Sequence, residues 1–158
     1  MNDVDFSGLI YCPNTGAFYR VDNPSVEVKN INQKGYNTFK YKGKKYLAHR
    51  IAWFIHTGNW PINEIDHING NRSDNRIVNL RDVDRRVNVH NQRKPQKGNK
   101  SGFLGVYWNK QRNNWVAKIC FHKKTKLFGG YATAYDAHLA YLEAKKIYHP
   151  TSPHLSVA

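Results

Sequence analysis

Nine residues from Lys94 to Gly102, KPQKGNKSG, hold one Pro, two Gly and three Lys and no large apolar residue. Such a stretch gives a core nothing to bury, so it is expected to join two modules rather than lie inside one. The chain of 158 residues allows one domain or two small ones. The expected division is a first module at 1–93, a basic linker at 94–101, a second module at 102–150 and a tail at 151–158.

Charge divides along the same line. Residues 1–92 carry 13 Lys/Arg and 9 Asp/Glu, a net of +4. Residues 93–158 carry 12 Lys/Arg and 2 acids, a net of +10. Ten cations and no acid fall between Arg93 and Lys126, with Trp, Tyr and Phe interleaved. That pattern is the electrostatic footprint of a polyanion binder.

Cys12 and Cys120 are the only cysteines and form no CxxC pair, which argues against a structural zinc site and for a reducing compartment. No apolar run reaches membrane-spanning length, so no membrane partner is expected. MNDVDFSGLIYC lacks the charged and apolar regions of a signal peptide.

Residues 9–12, 17–21, 36–41 and 44–47 are β-rich runs separated by the turn sequences PNTG, VDNPS and KG. AHRIAWFIH, 48–56, has apolar residues at helical spacing, with Gly58 and Pro61 as stops. A short strand is expected at Asn63–His67, then the polar loop NGNRSDNR. Asp84 is placed to cap a helix from Arg85 to about Arg93. In the second module GVYW, NWVAKICF and KLFGGY predict three strands, with turns at NKQRN and HKKT. Thr133 and Asp136 form a capping-box pattern before a helix that presents Ala137, Ala140, Tyr141 and Ala144 on one face. Pro150 and Pro153 mark its end. The fold class is α+β: β-hairpins and a strand-loop-helix centre, then a three-stranded antiparallel sheet packed on one helix.

The chemistry concentrates between Glu64 and Arg93. Asp66 and His67 close a strand, Asn79 follows thirteen residues after Asp66, and Asn88 nine residues later. Phosphodiester hydrolysis needs a base for water and a cation to offset charge on the phosphorane. A hard divalent ion takes oxygen ligands, which Asp66 and Asn88 carry. His67 has the near-neutral pKa of a general base. Asn79 can hydrogen-bond loop backbone. His90 lies two residues from Asn88, about 200° around a helix, so the two cannot share one ion. It is expected to be exposed or to contact phosphate. His49 and His56 are expected to be structural, and Asn75 to pack the loop.

IDHINGN at 65–71, DNR at 74–76, NLR at 79–81 and Asn88 resemble, in order and spacing, the motif of phage-type HNH homing endonucleases. The resemblance extends upstream to about residue 35. It implies a ββα-metal fold with His67 as general base, Asp66 and Asn88 as metal ligands and Asn79 as the residue that fixes the loop. Asn at 88 stands where the motif's name has His, and phage relatives also carry Asn there. The implied ion is Mg2+, with Mn2+ as the alternative. The resemblance also implies a phage-encoded protein acting in the cytoplasm of a bacterial host.

Residues 101–149 resemble the ethylene-response-factor (Apetala-type) DNA-binding domain through G-V-x-W at 105–108, W-x-A-x-I at 115–119 and L-F-G-x-Y followed by the Ala repeat at 134–141. That resemblance implies a sheet laid in the major groove. Strand alternation puts Lys118 on the face away from the helix. Tyr107 and Asn109 fall where groove-reading residues lie, while Lys110, Arg112 and Lys126 suit phosphate contacts. Arg72, Arg76, Arg85, Arg86, Arg93 and Lys94 are further candidates for phosphate.

The expected function is metal-dependent hydrolysis of double-stranded DNA, one nick per event, by a monomer; a double-strand break would need a dimer or two events. The rival expectation is a catalytically silent DNA-binding regulator that retains the motif. A second rival, an RNA-directed protein, rests on the basic aromatic tail alone.

Overall fold

A computed structural model describes residues 5–122 and 124–152. Residues 1–4, Lys123 of the expected HKKT turn, and residues 153–158 of the expected tail, Pro153 included, lie outside them. The described residues form an α+β fold of four small sheets and three α-helices. The chain divides into two compact units, residues 1–88 and 89–158. The division falls five residues before the expected end of the first module.

In the first unit, β1 (Leu9–Tyr11), β2 (Phe18–Arg20) and β3 (Asn23–Glu27) make an antiparallel sheet in that order. β3 occupies a stretch whose NPS sequence predicts a turn. All five of its residues are exposed, and it is an edge strand, where Pro24 removes no required ladder bond. β4 (Thr38–Tyr41) and β5 (Lys44–Leu47) form a hairpin. Lys42 and Gly43 both take positive φ, 45° and 77°, the geometry of a turn that matches strand twist.

The helix α1 (Ala48–Thr57) follows at once and buries Ala48, His49, Ile51 and Ala52. It stops at Gly58, left-handed at φ 74°, whose N–H donates to the Phe54 carbonyl. Its apolar face joins a core centred on Phe18, which is fully buried between the Tyr11 and Phe39 rings at 4.9 and 5.1 Å. β6 (Glu64–His67) and β7 (Leu80–Val83) pair antiparallel, with Asp66 opposite Arg81 and His67 opposite Leu80. Asp84 caps α2 (Arg85–His90) as expected: its Oδ1 accepts from the Arg86 and Val87 N–H groups at 2.8 and 3.0 Å. The helix ends three residues before Arg93. The Gln92 N–H reaches back only to Val89, and the Gln92 carbonyl accepts from the buried Lys145 ammonium at 2.6 Å.

In the second unit, β8 (Val106–Asn109), β9 (Asn114–Phe121) and β10 (Lys124–Tyr131) form an antiparallel sheet with β9 in the middle. α3 (Ala134–Tyr148) is capped by Thr133, whose Oγ1 accepts from the Asp136 N–H. Ala117 and Ile119 of β9 pack against Tyr141 and Ala144 of α3. The stretch expected as a linker lies in this unit and is tied to it. Asn99 donates from Nδ2 to the Phe103 and Val106 carbonyls, and Ser101 Oγ donates to the same pair. Polar side chains bonded to backbone do here what apolar burial does elsewhere.

Gly105 has φ 74°, and a Cβ there would come within 2.2 Å of the Tyr141 ring. Gly130 has φ 93° but open space around it. Gly105→Ala is therefore expected to destabilise the second unit by about 2–5 kcal/mol, from overpacking and left-handed strain together. Gly130→Ala should cost only the strain, about 1–2 kcal/mol. Urea unfolding of both variants checks the difference.

Candidate active site

Asp66 and His67 are the last two residues of β6 and project to opposite faces of it. Both are buried, at 5% and 4% exposure. Asp66 Oδ2 accepts from Nε and a terminal nitrogen of Arg81, at 2.8 and 2.7 Å, directly across the ladder. Neighbouring registers on a two-stranded sheet bring these side chains together. Arg81 belongs to the NLR segment, and its pairing with Asp66 emerges only with the β6–β7 register.

On the same face of β6 as Asp66 lies Glu64. Its Oε2 accepts from Asn88 Nδ2 at 2.6 Å, which ties the first turns of α2 to the strand. With the Nδ2 end of the amide committed to a carboxylate, the oxygen end is the part of Asn88 that can act as a ligand. Among the described residues no three His, Cys, Asp or Glu side chains gather as a metal site. The donors on this face are instead the Asp66 carboxylate, the Asn88 amide oxygen and the exposed Glu64 carboxylate. All are oxygens, the kind of donor that a hard, partly hydrated divalent ion takes, so the donor chemistry suits one. An ion held there would share Asp66 with the Arg81 guanidinium.

Asn79 laces the loop between β6 and β7. Its Oδ1 accepts from the Asn69 N–H at 2.8 Å and its Nδ2 donates to the Asp74 carbonyl at 2.7 Å. Its own carbonyl accepts from the Ile68 N–H. Arg76 grips Asp74 with two nitrogens, at 2.9 and 2.7 Å, and holds that carboxyl down at about 2. Arg72 stacks over the Tyr36 ring at 4.9 Å and donates to the Lys34 carbonyl. Arg85 and Arg86 are exposed on α2.

His67 sits in a pocket of rings. Its centroid is 5.1 Å from His49, edge to face, and 6.0 Å from Tyr36. Its Nε2 lies 3.3 Å from Asn75 Oδ1. Burial pushes the His67 pKa down, against the opposing pull of Asn75 and Asp66, so the ring is neutral at neutral pH and able to accept a proton. Burial pushes His49 much further, to about 3, helped by its neighbours His67 and Arg50. Sequence spacing gives no sign of the His49–His67 contact, because α1 and β6 meet only in the folded unit.

His90 is half-buried rather than fully exposed. Within the second unit its ring stacks on His149 at 3.9 Å and its Nδ1 is 3.0 Å from Thr151 Oγ1. The second unit also sorts its basic residues. Tyr107, Asn109 and Lys118 share the sheet face away from α3. Asn109 Oδ1 is engaged by the Gln111 and Arg112 N–H groups of the following turn. Lys126 lies on the other face, where its ammonium donates to Tyr148 Oη at 2.9 Å and covers that ring at 4.5 Å. It is not brought together with Lys118. Arg93, Lys94, Lys110 and Arg112 are all exposed.

Residues 46–90 match the family model of the HNH endonucleases, 45 of the chain's 158 residues. No curated protein and no solved structure matches the chain. The matched stretch holds β6, β7 and α2, and with them Asp66, His67, Asn79 and Asn88. That stretch is thus similar to an HNH endonuclease domain, a likeness that supports nuclease activity.

The buried neutral His49 has a consequence for stability. Its pKa is about 3 in the fold and 6.5 outside it, so between these values the unfolded chain binds the extra proton. Stability is full above 6.5 and is lost as pH falls toward 3, by up to about 1.4 kcal/mol for each pH unit. His49→Gln should flatten that slope by close to one proton. Urea titrations at several pH values measure it.

Proposed function

We propose that this protein is a metal-dependent DNA endonuclease of the HNH homing type that nicks one strand of a duplex. The observation that carries the reading is the buried, neutral imidazole of His67 next to Asp66 at the end of β6, with the oxygen donors Asp66 and Glu64 on the opposite face of that strand and Asn88 bonded to Glu64. Mg2+, when bound to those oxygens, would offset charge growing on the phosphorane and on the leaving 3′ oxygen.

The chain's own residues do the rest. His67 takes a proton from water, whose oxygen attacks phosphorus. The bond to the 3′ oxygen breaks, and that oxygen leaves as a hydroxyl after taking a proton from solvent. The products are a 5′ phosphate and a 3′ hydroxyl. Asn79 keeps the loop closed so that Asp66 and His67 stay at the strand end. Arg85 and Arg86 are available to the flanking phosphates.

The second unit is proposed to hold the duplex in the manner of an ethylene-response-factor-like domain. Its sheet face with Tyr107, Asn109 and Lys118 suits the major groove, and Arg93, Lys94, Lys110 and Arg112 suit phosphates. A monomer and a phage-encoded role in a bacterial host complete the reading.

His67→Ala should lower nicking by about a hundredfold or more while leaving duplex affinity close to wild type. EDTA should abolish cleavage by the intact chain. A plasmid-nicking assay tests both, and undiminished cutting by the variant, or in EDTA, would overturn the reading in favour of other chemistry. A wild type that binds the duplex and never cuts it would leave the silent regulator.

Deleting residues 94–158 removes eleven Lys/Arg against two acids. Each phosphate that the shortened chain no longer neutralises should take about 0.9 from the slope of log affinity against log salt. The truncated chain is expected to bind more weakly with a shallower slope. Fluorescence anisotropy across a salt series reads this directly, and an unchanged slope would remove the second unit from DNA binding.

A further inference from the structure

The N-terminal sheet of the first unit lies outside the matched stretch 46–90, yet it reaches the site. Tyr11 of β1 donates its hydroxyl to the Asn75 carbonyl at 2.7 Å, a buried bond between residues 64 apart. The Ile77 N–H donates to the Pro13 carbonyl. Gly16, at φ 75°, packs so closely on this loop that a Cβ would sit 2.6 Å from the Arg76 nitrogen and 2.7 Å from the Asn75 carbonyl carbon. The backbone of Asn75 is therefore clamped from the N-terminal side.

The side chain of Asn75 is 1% exposed and makes two hydrogen-bonding contacts. Nδ2 donates to the Ser73 carbonyl at 3.4 Å, and Oδ1 lies 3.3 Å from His67 Nε2. A carbonyl only accepts, so the amide nitrogen must face Ser73 and the amide oxygen must face the imidazole. That oxygen also only accepts. His67 is then the donor, with its proton on Nε2 and its lone pair on Nδ1.

We infer that Asn75 is a positioning residue for His67, fixing the tautomer and orientation of its ring, and that Tyr11 and the N-terminal sheet brace Asn75 in place. The inference rests on the reading of His67 as the general base. The water O–H bond breaks as an N–H bond forms at Nδ1, and hydroxide attacks. The imidazolium that results keeps its Nε2–H on Asn75 Oδ1, whose dipole favours the positive ring. The His49 and Tyr36 rings at 5.1 and 6.0 Å leave the imidazole little room to turn.

The test uses the full chain. Long-range 15N–1H correlation spectra of the wild type at neutral pH should show His67 as a single Nε2–H tautomer, its proton protected from exchange with water. Asn75→Ala should give a mixture of tautomers and lower kcat by about 10- to 100-fold, the usual effect of losing such a partner, with KM for duplex DNA within about twofold. Asn75→Asp keeps an acceptor for the Nε2–H but loses the donor to the Ser73 carbonyl, so it should restore the Nε2–H and only part of kcat. Tyr11→Phe should lower kcat about fivefold, the effect of one neutral hydrogen bond. A proton on Nδ1 in the wild type, or unchanged kcat in a folded Asn75→Ala, overturns the inference. A wild type that cuts no DNA instead overturns the nuclease reading, while the tautomer alone still decides whether Asn75 holds the ring.

Discussion

β6 and β7 are four residues each, and their register determines what the first unit can do. Asp66 faces Arg81 and His67 faces Leu80 across the ladder. A slip of one residue would send His67 to the face that carries Glu64 and Asp66, and Asp66 into the ring pocket of His49 and Tyr36. The Asp66–Arg81 pair fixes that register with charge, since a buried carboxylate without its guanidinium would be costly. The Leu80 and Ile65 side chains fix it again with apolar burial. Two independent restraints on so short a ladder explain how a loop as polar as NGNRSDNR can leave one strand and return to the next in place.

That loop makes its own framework. Asn69, Asn71, Asp74 and Asn79 bond backbone and one another in place of an apolar core. Neutral bonds of this kind contribute about 1 kcal/mol each, modest singly and substantial in a closed set. Under the proposed function rigidity matters, because a general base works only when its nitrogen is held within hydrogen-bond reach of its water. Much of the first unit, from the Tyr11 hydroxyl to the α1 face that carries His49, surrounds one imidazole ring.

The second unit solves a different problem. Its charge is strongly positive, and long-range attraction needs no fixed geometry. Its structure separates cations by role: Lys118 stands on the open sheet face, Lys126 is folded onto Tyr148, and Lys145 is buried with its pKa lowered to about 8 by desolvation. A count of Lys and Arg along the chain treats these three alike.

The sequence by itself determined the secondary elements with strong local chemistry. The KG turn of the β4–β5 hairpin, Gly58 after α1, Asp84 before α2 and Thr133 before α3 act within a few residues and are legible as written. It also marked out Asp66, His67, Asn79 and Asn88 as a candidate set, because spacing on a strand, loop and helix survives in one dimension. β3 was not legible, since an exposed edge strand has no pattern of burial to display. Nor was the inclusion of 94–101 in the second unit, which depends on hydrogen bonds from Asn99 and Ser101 rather than on apolar periodicity. Only the tertiary structure decided that His49 and Tyr36 wall in His67, that Glu64 holds Asn88, that Arg81 holds Asp66, and that Asn75 links His67 to Tyr11. Each of these joins residues from different elements, and such contacts are selected by how the elements pack, which no local run of the sequence encodes.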